Sequence, residues 1–193
     1  MAARSRSPKP HAAGRPQNDL PPEDDAGKGP EADPESVARA ILLDRLSARP
    51  RTRAELAETL ASKRVPDEIA TRLLDRFEEV GLIDDAAFAR AWVESRQAGR
   101  GLARKALARE LRRKGVADEI VREAVDSVDS EAEADAARAV VRRKLRGMTG
   151  LEPHVARRRL VGMLARRGYP AGVAFRVVSD ELEMALDDHE AET

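Results

Sequence analysis

The sequence predicts an all-α fold, in which three tandem three-helix repeats stack into an elongated, curved body. Aromatic residues make up only 3% of the chain and charged residues 36%, so the core must be built from aliphatic side chains, a composition that suits helices. Apolar residues recur at helical spacing, and hardly any stretch shows the period-two alternation of a strand. A pattern of two helices joined by a turn, with the same apolar spacing, also occurs three times.

The central copy of this pattern is Leu102–Ile120. Leu107 and Leu111 lie one helical turn apart, Gly115 fits a left-handed helix cap, and acidic residues after Val116 open the next helix. Two further copies have the same apolar spacing, in Leu56, Leu60 and Val65 and in Leu160, Leu164 and Tyr169. They lie 51 residues before and 53 residues after the central copy, which indicates an internal repeat.

The first repeat is predicted over residues 35–81, after a disordered tail at residues 1–34. This tail contains seven of the eleven prolines, and such a composition buries too little apolar surface to offset the entropy of ordering. Within the repeat, Thr52 and Glu55 have the spacing of a capping box at the start of the second helix. Pro66 begins the third helix.

The second repeat is predicted over residues 82–130. Asp84 or Asp85 can cap its first helix by accepting hydrogen bonds from free backbone N–H groups. The segment Gly99–Gly101 is interpreted as a loop that breaks this helix and exposes Arg100. A phosphate-binding loop is the alternative, but the preceding strand and the Gly-Lys-Ser/Thr ending of that motif are missing.

Phe88 and Trp92 are predicted to belong to the core of the second repeat. They lie four residues apart and match Val37 and Ile41 of the first repeat, which is the spacing of one buried helical face. The alternative for Trp92 is an exposed ring that stacks on a nucleic-acid base.

The third repeat is predicted over residues 131–183 and is followed by an acidic tail at residues 184–193. Pro153 begins its second helix, and valines at helical spacing form the apolar face of its last helix. A three-helix unit of this size has little core of its own, so the repeats are expected to stack through shared apolar faces.

The charges are unevenly distributed, although the formal net charge is zero. Residues 96–114 contain eight Lys or Arg and one acid, Glu110, and residues 138–168 contain ten against Glu152. Clustered basic residues are typical of proteins that bind polyanions, and a solvated helix face is the alternative. The candidate binding residues are Arg96, Arg100, Arg104, Lys105, Arg109, Arg112, Arg113, Lys114, Arg157, Arg158, Arg159, Arg166 and Arg167.

Several classes of function are disfavoured by what the sequence lacks. With no cysteine and only three scattered histidines, no thiol nucleophile, disulfide framework or metal site is expected. No apolar run approaches the ~20 residues of a membrane-spanning helix. The sequence therefore predicts a cytoplasmic protein that is not an enzyme and uses no cofactor.

Three segments together resemble the central signature of the RecX regulatory proteins: Leu82–Ala89, Arg96–Gly101 and Glu110–Val116. That signature has an Asp shortly before Phe-Ala, an Arg- and Gly-containing turn, and Glu-Leu-x-x-Lys-Gly followed by an apolar residue. The resemblance covers residues 36–183, although Val80-Gly81 replaces an aromatic residue often found in the family. The matching positions are Asp85, Phe88, Arg96, Gly101, Glu110, Leu111, Lys114 and Gly115.

This resemblance implies a helical regulatory protein that binds the RecA filament on single-stranded DNA. It further implies inhibition of the recombinase and ATPase activities of RecA, and hence modulation of recombination, DNA repair and the SOS response. We expect a monomer that acts on the filament and contacts no membrane. The residues alone leave open a stand-alone helical nucleic-acid-binding protein, because helical pieces with basic faces are common among such proteins.

Overall fold

The computed structural model describes residues 33–148 and 150–191, and every regular element in these ranges is an α-helix. The predicted Pro-rich tail lies outside the described residues up to position 32, and the first helix begins at Pro34. The helices are α1 (Pro34–Ala48), α2 (Arg53–Ser62), α3 (Asp67–Glu79), α4 (Asp85–Arg100), α5 (Arg104–Arg113), α6 (Asp118–Asp126), α7 (Ser130–Leu145), α8 (Pro153–Arg166) and α9 (Ala171–Ala191). This confirms the all-α prediction.

Helices α1–α3 form unit 1, α4–α6 form unit 2 and α7–α9 form unit 3, each around its own cluster of buried aliphatic side chains. The capping box predicted for α2 is present: the Thr52 side chain accepts from the Glu55 N–H, and the Glu55 carboxylate accepts from the Thr52 N–H. Pro66 is the residue before α3 rather than its first helical residue.

In α4 and at the start of α1, the core face lies one residue later than the sequence predicted. In α4, Ala89 and Val93 are buried, whereas Phe88 and Trp92 are only partly buried at the edge of the cluster. In α1, Val37 is likewise 42% exposed while Ala38 is fully buried. Ala38 and Ala89 are both fully buried, so these small side chains lie in the close-packed interior.

The end of α4 also corrects a prediction. The helix continues through Arg100, and only Gly101, with φ of 56°, adopts the left-handed conformation that ends it. The segment from Gly99 to Arg100 is therefore helical rather than a loop, although Arg100 is exposed as expected.

In unit 3, Pro153 is the first residue of α8, as the sequence predicted. Helix α9 extends to Ala191, so helix occupies residues 184–191 where an acidic tail was expected. Its buried face continues to Leu182 and includes the carboxylate of Glu181, which is only 3% exposed and accepts a hydrogen bond from Arg142 Nε at 2.6 Å.

Units 1 and 2 meet where the C-terminal end of α5 contacts the N-terminal end of α2; we call this contact the first junction. Thr52 Oγ1 donates a hydrogen bond to the Lys114 carbonyl at 2.6 Å, and the Arg53 N–H donates to Asp85 Oδ1 at 2.9 Å. Gly115, with φ of 76°, packs so tightly that a β-carbon there would lie 2.2 Å from the Ala54 β-carbon.

Units 2 and 3 repeat this arrangement at the second junction, where the C-terminal end of α8 contacts the N-terminal end of α5. The Ala103 N–H donates to the Arg167 carbonyl at 3.0 Å, and the Arg104 N–H donates to Glu133 Oε1 at 2.8 Å. A β-carbon on Gly168, which has φ of 92°, would lie 2.7 Å from the Ala106 nitrogen. Each junction therefore combines an N-cap residue that donates to a carbonyl of the neighbouring unit, a carboxylate acceptor and a glycine without room for a side chain.

Candidate binding surface

The signature residues of unit 2 form a cluster around Trp92, which lies beside the stacked ring of Phe88 at 5.6 Å. Trp92 Nε1 donates to Glu110 Oε2 at 3.0 Å, while the cationic groups of Arg96 and Lys114 lie 4.0 and 4.4 Å from the Trp92 ring centre. Cations so close to an aromatic face are held by its quadrupole. This cluster therefore occupies the ring that the base-stacking alternative would have left exposed.

Lys114 connects this cluster to unit 1. Its ammonium group donates to Glu55 Oε1 at 2.7 Å, and both side chains are largely removed from solvent. Burial alone would raise the pKa of Glu55, but hydrogen bonds from Lys114 and from the Thr52 N–H hold that pKa below its usual value. Lys114 is thus part of the first junction.

Asp85 is a second signature residue at the same junction. The prediction allowed either Asp84 or Asp85 to cap α4; the Asp84 carboxylate does so by accepting from the Ala87 N–H. Asp85 instead accepts from Arg53 in unit 1. Burial raises the pKa of Asp85, partly offset by this hydrogen bond.

Five candidate basic residues form ion pairs with carboxylates, so they are not free charges, although the count along the sequence found only one acid among them. Glu110 binds both Arg96 at 3.3 Å and Arg100 at 3.4 Å. The remaining pairs join Arg104 to Glu133, Arg112 to Asp118 and Lys114 to Glu55. Counting charges within 96–114 missed three of these acids, because they come from other parts of the chain.

Three candidates on α5 are different, and we call them the α5 row: Lys105, Arg109 and Arg113. They lie four residues apart, so they follow one another along a single helix face. All three are exposed, and none forms an ion pair within the described ranges. The opposite face of α5 is buried through Leu107 and Leu111. The α5 row therefore offers three charges to a partner without breaking a contact of the fold.

Helix α8 carries a second group of exposed cations. Arg158, Arg159 and Arg166 line an open groove together with Lys144 of α7, and none of the described residues that line it is acidic. Lys144 was not among the candidate residues, because it belongs to another helix and only the fold brings it to this groove.

The other two α8 candidates have contacts within the protein. The Arg157 guanidinium lies 5.9 Å from the Phe175 ring centre, and Arg167 Nε donates to the Arg100 carbonyl at 3.3 Å.

Over the described ranges, no helix is long and apolar enough to cross a membrane. No group of three or more potential metal ligands was found in the same part of the chain.

Comparison with known protein families gives three consecutive matches, one to each unit. The first three-helix domain of RecX matches residues 38–77, the second matches 84–125 and the third matches 131–178. The chain is 55% identical over 166 residues to the regulatory protein RecX of Streptomyces coelicolor, covering 86% of this chain and 88% of that protein. It is 53% identical over 162 residues to RecX of Thermobifida fusca, covering 82% and 88% of the two chains.

Solved structures share the fold. The crystal structure of RecX from Lactobacillus salivarius aligns with a TM-score of 0.71 at 17% identity, covering 78% of this chain and 97% of that one. Another crystal structure of a regulatory protein RecX aligns with a TM-score of 0.69 at 23% identity, over 78% and 73% of the two chains. The matched domains, the close relatives and the shared fold together establish that this chain belongs to the RecX family of regulatory proteins.

Proposed function

We propose that this protein binds the RecA filament on single-stranded DNA and inhibits the recombinase and ATPase activities of RecA. In this role it modulates recombination, DNA repair and the SOS response as a cytoplasmic monomer that acts by binding rather than by catalysis. Family membership supports RecA as the partner.

The single observation that supports a binding surface on this chain is the α5 row. Lys105, Arg109 and Arg113 are exposed cations without a carboxylate partner in the described ranges, and they stand on a helix anchored at both ends by the junctions. A rigid row of charges loses little entropy when it binds a polyanionic partner. The other candidate cations of this region are already in ion pairs, and binding a partner through them would break those pairs. They are Arg96, Arg100, Arg104, Arg112 and Lys114.

The test is the DNA-dependent ATPase activity of RecA, measured with increasing amounts of this protein. We expect the wild-type chain to inhibit, and the triple variant Lys105→Gln, Arg109→Gln, Arg113→Gln to lose inhibition while its thermal melting curve is preserved. Exposed substitutions of this kind usually change stability by about ±0.5 kcal/mol.

A matched control removes one lysine and two arginines elsewhere: Lys63→Gln, Arg49→Gln, Arg90→Gln. These side chains are exposed and have no ion pair within the described ranges. If inhibition falls equally in both triple variants, net charge rather than the α5 row is responsible. A wild-type chain that sediments with bare single-stranded DNA but never slows RecA would favour the stand-alone nucleic-acid-binding alternative.

A further inference from the structure

The internal repeat places a second basic row on α8 at the positions that correspond to the α5 row. Moving 53 residues along the chain from Lys105, Arg109 and Arg113 leads to Arg158, Gly162 and Arg166. The two arginines are exposed and have no ion pair in the described part of the chain. We call Arg158 and Arg166 the α8 row. The same positions in α2 are Ala54, Glu58 and Ser62, so unit 1 lacks the row.

The position of Arg158 within α8 is not what helix stability favours. Basic side chains stabilise the C-terminal turn of a helix, where they oppose the negative end of the dipole. Arg166 lies in that turn, but Arg158 lies in the first half of α8, whose first turn carries no acid. Arg158 therefore does not stabilise its own helix, and the corresponding residue of unit 2, Lys105, is also a cation without an ion pair in the described ranges. Together these observations indicate that Arg158 serves to bind a ligand.

The second junction brings the C-terminal end of α8, which carries Arg166, against the N-terminal end of α5, which carries Lys105. Residues 168 and 106 are in contact across it, since a β-carbon on Gly168 would touch the Ala106 backbone. Arg166 precedes the first of these residues by two positions, and Lys105 precedes the second by one. The last cation of the α8 row and the first cation of the α5 row therefore lie on either side of this contact.

We propose that the α8 row and the α5 row form one track that binds the phosphodiester backbone of single-stranded DNA directly. The α5 row has four-residue spacing, and the α8 row has the same register with Gly162 at its middle position. Such regularly spaced cations match a strand of DNA, which is itself a regular line of single negative charges. None of the described residues that line the groove beside Arg158 and Arg166 is acidic, which favours the same ligand. The groove beside Lys105 contains Glu131 and Glu133, and Glu133 is already paired with Arg104. This inference rests on the proposed function and adds that DNA, rather than RecA protein alone, contacts units 2 and 3.

The test measures binding of a fluorescently labelled thymidine oligonucleotide by anisotropy, without RecA, over a range of salt concentrations. The salt slope is the slope of the logarithm of the binding constant against the logarithm of the salt concentration. Each lost phosphate contact lowers its magnitude on single strands by ~0.7. We expect a loss of ~1.4 for Arg158→Gln, Arg166→Gln and of ~2 for the triple change of the α5 row. The double control Arg49→Gln, Arg90→Gln should retain the wild-type slope, and circular dichroism confirms that each variant is folded.

Gly162 allows the reverse experiment. A β-carbon there would meet only Arg166 Nη1 at an ordinary contact distance of 3.5 Å, so a side chain can be accommodated. Gly162→Lys completes the α8 row at the position corresponding to Arg109, and should steepen the salt slope by ~0.7 and tighten binding.

The inference is overturned if the wild-type chain does not bind the bare oligonucleotide, or if the α8 double variant keeps the wild-type slope. A Gly162→Lys chain with an unchanged slope would also contradict it. None of these results bears on the ATPase assay: inhibition that persists without DNA binding leaves the proposed function standing and assigns the α5 row to the protein surface of the filament.

Discussion

The glycine of the first junction provides a sharp test of how the units are held together. Gly115→Ala should destabilise the protein in two ways. A left-handed φ of 76° costs a residue with a β-carbon about 1–2 kcal/mol. The new methyl group would also lie 2.2 Å from the Ala54 β-carbon, and relieving such overpacking costs about 1–3 kcal/mol.

Together these effects should lower the free energy of unfolding by about 2–5 kcal/mol. In a chain of this size, that corresponds to a fall in melting temperature of roughly 4–20 °C. The matched control is Gly81→Ala, because Gly81 has nearly the same φ, 72°, but nothing within 4 Å of its added β-carbon. It should lose only the backbone contribution of about 1–2 kcal/mol.

Urea denaturation followed by circular dichroism at 222 nm, the standard helix signal, measures both variants. The double variant with Ala54→Gly separates the two effects, since removing the Ala54 methyl group makes room for the new one. In that background Gly115→Ala should cost about 1–2 kcal/mol. Equal losses for Gly115→Ala and Gly81→Ala would refute the idea that the junction, rather than the backbone conformation, requires glycine.

Three further predictions concern single side chains. Trp92→Phe removes the donor to Glu110 and should lower the free energy of unfolding by about 1–3 kcal/mol; an unchanged urea midpoint would contradict this. Asp85→Asn keeps an acceptor for the Arg53 N–H but removes a buried negative charge, whose pKa is raised by burial, so this variant should be at least as stable as wild type at pH 7. Asp85→Ala loses the acceptor and should be less stable by about 1–3 kcal/mol in the same urea denaturation. Burial raises the pKa of Tyr169 to about 12, so the folded protein should lose stability as the pH rises from about 10, the ordinary pKa of tyrosine, to about 12. Ultraviolet titration of this one tyrosine measures its pKa, and a value near 10 would contradict its burial.

Local signals predicted the helices and several of their ends. The capping box of Thr52 and Glu55 and the stop at Gly115 depend on neighbours within a few residues, so the sequence contains all of the relevant information. The core of α4 was predicted one residue away, because Phe88 and Trp92 have the apolar spacing of a buried stripe. Tertiary packing instead selects Ala89 and Val93, and no local pattern reports how closely a neighbouring helix approaches.

The candidate surface was harder to predict, because charge compensation is a property of the fold. Lys114 binds Glu55, which lies 59 residues away, and the Arg104 backbone binds Glu133, which lies 29 residues away. A window over 96–114 contains neither acid. The sequence identified the basic regions, but only the three-dimensional positions of distant carboxylates distinguish the α5 row from the cations that stabilise the junctions.

The junctions also have a consequence for synthesis of the chain on the ribosome. The Thr52 hydroxyl at the start of α2 finds its acceptor, the Lys114 carbonyl, only 62 residues later in the chain. The start of α5 in turn waits for Arg167 and Tyr169, the latter 68 residues beyond its hydrogen-bond partner Gly101. Units 1 and 2 therefore leave the ribosome before their junction hydrogen bonds can form, and each is secured only when the following unit has folded against it. A nascent chain that stalls within unit 3 should be open to proteolysis in unit 2, well before the point at which synthesis stopped.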